Sequence, residues 1–379
     1  MKKIFLILVA SCITFVGCKK DEPETVPNTT TNAGTTTPAG GGGAATATTL
    51  QEDKDNIKGS LSGIIGCMQS FKSGEFVTTF NTFFELSNAE SMNEAWIDDL
   101  VSGLENHINL DYVESTNRLD LGRHYGTYTY NVSAKTWSKI AAVSNSVVFI
   151  FPSSASSTSS DMVATVSNYS DQMVTLDNET MYIPTSGSIK LSKSGNEIAH
   201  INLNKATYDF VGDIPMPTLV DLSVKMAPFT YKLDYQRNTP TQFSLNLDVS
   251  STVSCGYSIN SKLNLTHSDY ENIDAENDIE SLEINFEYPG ALSVNSTIDV
   301  NGISALGDDP TTAQLNSKID AIVSYANIKI GELELQNNGN DTQVFIRYKD
   351  NTTENVNVYT DVFANDLENV FFDMTGAWD

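Results

Sequence analysis

The sequence feature that most constrains the fold is a long alternation of apolar and polar residues between Phe243 and Leu265. The odd-numbered positions hold Phe243, Leu245, Leu247, Val249, Ser251, Val253, Cys255, Tyr257, Ile259, Ser261, Leu263 and Leu265. Side chains alternate between the two faces of a β-strand, so the whole stretch presents one mainly apolar face. A single straight strand would span roughly 75 Å, which is far beyond the usual length. We therefore predict two strands joined by an odd-numbered loop among residues 250–256, with one long curved strand as the alternative.

A second alternation, just upstream, changes its phase at Ala227-Pro228. Before this point the apolar residues are even-numbered, and after it they are odd-numbered: Val220, Leu222, Val224 and Met226, then Phe229, Tyr231, Leu233 and Tyr235. A slip of one residue beside a proline is typical of a bulge or a sharp bend in an edge strand. We predict such a bend here.

The residues that precede these strands follow a helical period instead. Apolar residues recur three and four positions apart in three groups: Ile57, Leu61, Ile64, Ile65, Met68 and Phe71; Phe76, Phe80, Phe83 and Phe84; and Trp96, Leu100, Leu104 and Ile108. This spacing predicts three helices within residues 50–110. Glycines 59, 63 and 66 lower the helix propensity of the first group, and we predict that they allow close packing.

Alternation resumes after Arg123 and continues through most of the chain. We predict strands near 128–132, 147–151, 162–168, 181–183, 187–192 and 197–211, with a turn at Ser194-Gly195-Asn196. Asp308-Asp309-Pro310 resembles a helix start, and Leu315, Ile319, Ile322 and Val323 would form the apolar face of that helix. Strands at 326–335, 342–349 and 354–360 would end the chain.

Together these patterns predict an α+β fold. A large, bent, mostly antiparallel β-sheet, solvated on one face, would carry the N-terminal helical segment and one later helix on the other face. The helical segment of residues 50–110 and the sheet-rich body of residues 111–379 would form one domain.

Two of the four cysteines, Cys67 and Cys255, belong to this predicted domain. Cys255 lies on the apolar face of its predicted strand, and Cys67 lies close to the apolar stripe of the first helix. If that helix covers that sheet, the two sulfur atoms can meet. The sequence leaves open a disulfide, two separate buried thiols, and a reactive thiol.

The N-terminus has the organisation of an export signal. Lys2 and Lys3 precede an apolar run, Ile4–Val16, which is too short to span a bilayer, and Gly17 then precedes Cys18. This arrangement resembles the lipobox of bacterial lipoproteins, with Phe15 where the lipobox usually has leucine. The resemblance implies a signal peptide of residues 1–17, a diacylglycerol thioether on Cys18, and an acyl chain, such as palmitate, on the Cys18 amine. Residues 18–49, which include four consecutive glycines at 40–43, would be the lipidated N-terminus and a flexible linker.

The tetrad after the cysteine bears on localisation. Lys19-Lys20-Asp21-Glu22 is similar to the short charged signal that routes some Gram-negative lipoproteins to the cell surface. The expectation is an outer-membrane lipoprotein at the cell surface, with the periplasm-facing leaflet as the alternative.

Charge excludes one class of partner. The formal net charge is −26 at pH 7, with 22 basic against 48 acidic residues. Nucleic acids and anionic membrane surfaces are bound through clusters of Lys and Arg, so the lipid on Cys18 would be the link to the membrane. The sequence does not determine the oligomeric state.

No catalytic signature is present in the sequence, and we predict no catalytic residue, cofactor or metal site. Zinc-protease, serine-hydrolase and nucleotide-binding motifs are absent, and the four histidines are far apart. An acidic stretch at 274–278 lacks the spacing of a calcium loop.

The leading hypothesis is a non-enzymatic binding or structural module for a lipid or other amphiphile. The alternative is a surface glycan-binding protein or glycoside hydrolase, which would need exposed aromatics such as Tyr125, Tyr128, Trp137 or Trp378 beside paired carboxylates. An adhesin or envelope scaffold is a third possibility.

Overall fold

A computed structural model describes residues 48–83 and 120–375, together with residues 100, 101 and 104. Within the longer range, residues 142–143, 177–178, 212–213, 254, 275–276, 308 and 339–340 lie outside the description. The predicted signal peptide, Cys18, the linker and most of the third predicted helix also lie outside it.

The described chain forms one 16-stranded sheet in the order β16 to β3 followed by β1 and β2. The strands are β1 (Gly126–Asn131), β2 (Thr136–Ala141), β3 (Ser146–Phe151), β4 (Met162–Leu176), β5 (Glu179–Lys193), β6 (Asn196–Val211), β7 (Ile214–Met226), β8 (Phe229–Thr239), β9 (Gln242–Ser251), β10 (Gly256–Leu265), β11 (Ile279–Glu287), β12 (Leu292–Asp299), β13 (Ile319–Tyr325), β14 (Ile328–Asn338), β15 (Asp341–Tyr348) and β16 (Thr353–Asn355). Every pairing is antiparallel except that of β1 with β3. The predicted α+β class with a large antiparallel sheet is confirmed.

The long alternation forms β9 and β10, as predicted from its parity. Ser250 pairs directly with Gly256, so an odd number of residues separates the paired positions. Phe243 and Val249 are buried on the face that receives the helices. The loop keeps the apolar side chains of both strands on that same face.

The predicted bend at Pro228 is wrong. Ala227-Pro228 is a two-residue hairpin turn between β7 and β8, where Met226 pairs with Phe229. The flanking residues of a two-residue turn pair across it, which shifts the sequence parity while keeping both apolar series on one face. Both strands lie inside the sheet, and neither is an edge strand.

Two N-terminal helices pack on the apolar face. Helix α1 (Leu50–Lys72) begins with a capping box between Thr49 and Glu52, and helix α2 (Glu75–Phe83) follows it closely. A helix of this length spans about 34 Å. The Ile57 side chain of α1 packs with residues of β12–β15, and Cys67 packs against β8 and β9. The first two predicted helices are therefore confirmed.

The glycines of α1 have different surroundings from those predicted. A Cβ atom on Gly63 would lie 2.8 Å from the Tyr288 hydroxyl, so Gly63 is a close-packing position. Gly59 and Gly66 face open space, so the prediction is wrong for these two. The closest approach of the segment is at Gly74, between α1 and α2, where a Cβ would lie 2.5 Å from the Ala227 carbonyl oxygen.

The predicted helix after Pro310 is only partly correct. Helix α3 (Val300–Ser304) precedes it, and α4 (Thr312–Asn316) ends before Ile319, where β13 begins. Ile319 and Val323, four positions apart, fit a helical and an extended spacing alike. The segment is a strand because it pairs with both β12 and β14. The predicted last strand is also shorter, because the chain continues as α5 (Asn357–Thr375).

A polar cluster joins the first and last helices to the sheet. Glu354 of β16 accepts hydrogen bonds from the hydroxyls of Tyr348 and Tyr359, and Lys54 of α1 lies 2.9 Å from its carboxylate. Burial opposes ionisation of Glu354, but these three hydrogen bonds together lower its pKa below the usual value. Burial and the adjacent carboxylate raise the pKa of both tyrosines. The cluster therefore holds α1 and α5 on the same end of the sheet.

The contact at Gly74 gives a test of the helix position. Gly74→Ala should lower the free energy of unfolding by about 1–3 kcal/mol, because the new methyl group would overlap the Ala227-Pro228 turn. Gly66→Ala is the matched control and should raise it by about 0.5–1 kcal/mol, because Gly66 is helical and unobstructed. Urea denaturation of each variant measures both. Equal stability of Gly74→Ala and the wild type would contradict this packing.

Candidate functional site

The apolar face contains a row of side chains that crosses eight adjacent strands. The members pair in direct register from β3 to β10: Val147, Val166, Ile189, Ile201, Val224, Tyr231, Val249 and Tyr257. A second apolar row runs beside it from β6 onward: Leu203, Leu222, Leu233, Leu247, Ile259, Phe286, Val294 and Val323. The face is thus apolar well beyond the strands that α1 contacts.

Both ends of the first row are packed. At one end, Val147 belongs to a cluster with Leu121, Tyr128, Tyr130 and Trp137. Leu100 and Leu104 of the third predicted helix also belong to this cluster, and the Trp137 indole N–H donates to the Leu100 carbonyl at 2.9 Å. At the other end, Val249 packs with Cys67 and Phe229.

In the described part of the chain, the middle of the face is partly exposed, although α2 contacts β6. Ile189 and Ile201, which pair with each other, are 51% and 48% exposed. Leu203, Leu222 and Val224 beside them are half-buried. We call these five residues the open strip. It lies between two packed clusters on a face that the alternation makes apolar, which makes it the candidate binding surface of the described chain.

The surroundings of the open strip are electrically neutral. Tyr231, the next member of the row, has its pKa raised to about 12 by burial and by the neighbouring Tyr257. It therefore carries no charge at neutral pH. Lys190 and Lys225, next to members of the strip along their strands, belong to the opposite face, where they approach Glu197. The hydrogen bond from Lys225 keeps the pKa of Glu197 below its usual value.

A disulfide lies in the packed cluster on the α1 side of the strip. Cys67 and Cys255 are joined in the structure, with their Cα atoms 5.7 Å apart. Of the three alternatives that the sequence left open, the geometry corresponds to the disulfide. The bond ties the end of α1 to the start of β10, close to Phe229 and Val249.

The other predicted candidates are not brought together. His267 lies 3.0 Å from Asp278, while His200 is close to Ser188 and Glu197. Asp274 and Asp278 hydrogen-bond within their own loop. Across the residues that the structure describes, no group of three or more His, Cys, Asp or Glu is placed to hold a metal ion.

The predicted aromatic platform is also not formed by its described members. Tyr128 is fully buried and Trp137 is 7% exposed, and both pack in the cluster around Val147. Tyr125 packs against the same cluster, and Trp378 lies outside the described residues. The prediction that Tyr128 and Trp137 are exposed in a glycan-binding surface is therefore wrong.

Sequence reasoning missed the open strip itself. The alternation of each strand is visible in the sequence, but exposure depends on where the helices lie. No helix among the described residues is long and apolar enough to span a membrane. Comparisons with protein families, curated proteins and solved structures found no match for this chain.

The disulfide can be tested in a chain that starts at Lys19, in which Cys67 and Cys255 are the only cysteines. We expect reduction, or the double substitution Cys67→Ser/Cys255→Ser, to lower the free energy of unfolding by about 2–4 kcal/mol. Peptide mapping without reductant should recover the two linked peptides. Recovery of both thiols in the free form, with no change of stability on reduction, would refute the bond.

Proposed function

We propose that this protein is a lipid-anchored, non-enzymatic binding module of the cell envelope, and that the open strip holds the apolar part of an amphiphile. The observation that carries the proposal is the exposure of Ile189 and Ile201 between two packed clusters. Burial of apolar surface contributes about 25 cal/mol per Å², so a ligand that covers these side chains gains free energy.

The dimensions of the strip favour a small occupant. It crosses three strands, or about 10 Å, and extends about 7 Å along them. A stable protein partner buries about 800 Å² on each side, which is far more than this patch offers. One fused-ring system or part of an acyl chain fits the available area, with the polar head group in water beyond the strip.

The proposed location rests on the N-terminus. Lipidation of Cys18 would anchor the chain to the outer membrane, and residues 18–49 would separate the folded body from the lipid. The tetrad Lys19-Lys20-Asp21-Glu22 supports exposure at the cell surface. An envelope protein with this anchor would meet free amphiphiles at close range.

Amphiphile binding is tested with the acyl-free chain that starts at Lys19. Oleate and mono-oleoyl lysophosphatidylcholine, each below its micelle concentration, are titrated by calorimetry. We expect Ile201→Lys to weaken binding at least about tenfold, because it places a charge in the strip. Asn202→Lys is the control, because it adds the same charge to the next residue, which faces the opposite side of the sheet.

Circular dichroism establishes that both variants are folded. The proposal fails if neither amphiphile binds to the wild-type chain. It also fails if the two lysine variants weaken binding equally, because the effect would then be one of charge and not of position.

The anchor is tested in a Gram-negative host that processes lipoproteins. We expect a clickable palmitate analogue to label the wild-type chain, and Cys18→Ser to lose both the label and the membrane association. Proteolysis of intact cells distinguishes the surface from the periplasm-facing leaflet. An unlabelled wild-type chain that stays membrane-bound after Cys18→Ser would exclude the lipid anchor.

A further inference from the structure

The polar face of the same sheet carries a row of asparagines in direct cross-strand register. Asn246 of β9 pairs with Asn260 of β10, Asn260 pairs with Asn285 of β11, and Asn285 pairs with Asn295 of β12. Adjacent strands lie about 4.8 Å apart, so the four amides span about 14 Å. Along its strand, each asparagine is next to an apolar residue that belongs to the face covered by α1. Because neighbouring side chains point to opposite faces, the asparagine row points away from α1.

These amides are available for a ligand. Among the described residues, the side chains of the four asparagines have no hydrogen-bond partner, and all of them reach solvent. The neighbouring rows of the same face differ. Gln242, Asn264 and Ser281 are hydrogen-bonded across three strands at 3.0 and 2.8 Å, and Lys262 lies 3.1 Å from Glu283. The polar side chains of those rows satisfy each other, whereas the asparagine row does not.

The row continues into two carboxylates. Asn246 pairs with Asp234 of β8, and Asp234 pairs with Asp221 of β7. Like charges directly opposite on neighbouring strands repel, so this pair does not stabilise the sheet. Asp221 accepts a hydrogen bond from Asn204 at 2.8 Å, and within the described chain Asp234 has neither a hydrogen bond nor an ion pair.

A depression marks this end of the row. A cavity of about 220 Å³ is lined by residues that include Lys205, Asp221, Asp234, Gln236, Ser244 and Asn246. It lies next to a bulge of β6 between Leu203 and Lys205, where the pairing register with β7 shifts. A bulge disrupts the local ladder and bends its strand, and the depression lies at this point of the sheet. The row therefore combines a flat series of amides with a concave end that carries Asp221, Asp234 and Lys205.

We propose that this asparagine row, extended by Asp234 and Asp221, binds a neutral glycan. An amide both donates and accepts hydrogen bonds, and a carboxylate accepts them. A sugar hydroxyl also donates and accepts hydrogen bonds, so a polyhydroxylated chain can hydrogen-bond to every group of the row. The six strands from β7 to β12 give about 24 Å for such a chain.

Charge excludes the competing occupants. An anionic polysaccharide or nucleic acid would be repelled by the two carboxylates and by the net charge of −26. One bound cation could contact the carboxylates and the nearest amide oxygen, but not a row of amides that spans about 14 Å. No group of three or more His, Cys, Asp or Glu is placed to hold a metal ion among the described residues. A neutral, hydroxyl-rich chain is the occupant that matches the whole row.

The test uses the full-length lipoprotein in lauryldimethylamine oxide, a detergent without a sugar head group. Cellohexaose, laminarihexaose, maltohexaose and chitohexaose are titrated by calorimetry at low and high NaCl. We expect at least one of them to bind with little dependence on salt, because the ligand is uncharged. Asn260→Ala/Asn285→Ala should weaken this binding about tenfold or more, through the loss of two sets of hydrogen bonds.

The control is Asn264→Ala, which makes the same change on the same strand and face, but at a residue whose amide is already hydrogen-bonded. It should leave the affinity unchanged, and thermal melts show that all variants are folded.

The inference is overturned if none of the four hexasaccharides binds, or if Asn264→Ala weakens binding as much as the double variant. Binding of CaCl₂ alone that Asp234→Asn abolishes, without any sugar binding, would assign the carboxylates to a cation instead. Amphiphile binding at the open strip lies on the other face, so its outcome is independent of this one.

Discussion

The rest of the structure depends on the burial of one apolar sheet face that is wider than the helices packed on it. The strands follow one another in sequence order across most of the sheet, and their direct pairing aligns apolar side chains into continuous rows. Hydrophobic burial against α1, α5 and the cluster around Trp137 stabilises the two ends of this face. The open strip is the part of the face that these elements leave exposed.

The position of α1 is set by three contacts of different kinds. Ile57 packs in the cluster with Val323 and Ile346, Cys67 is bonded to Cys255, and Gly74 allows the chain to pass closely over the Ala227-Pro228 turn. Together they place α1 across β8–β15, while α2 contacts β6 and Ile189 and Ile201 remain about half exposed in the described chain. The same strands that present apolar rows to this side present the asparagine row to the other, so one sheet offers two chemically different surfaces.

The sequence predicts the sheet better than it predicts the site. Alternation gives the strands, and the parity of Phe243–Leu265 gives even the loop at residues 250–256. The alternation does not distinguish a hairpin from a bend at Ala227-Pro228, or a strand from a helix at Ile319. At both places the pairing between strands determines the structure. The open strip and the asparagine row depend on the register between strands, and that register cannot be read from any one strand.

We propose that solvent reaches the middle of the apolar face in the free protein, and that an amphiphile covers it when bound. Carbene footprinting of the chain that starts at Lys19, read by mass spectrometry, tests it most directly. The account predicts strong labelling at Ile189 and Ile201, weak labelling at Ile57 and Tyr128, and selective protection of the two isoleucines by oleate. If Ile189 and Ile201 are labelled as weakly as Tyr128 without any ligand, the face is already covered by the chain itself, and the account is wrong.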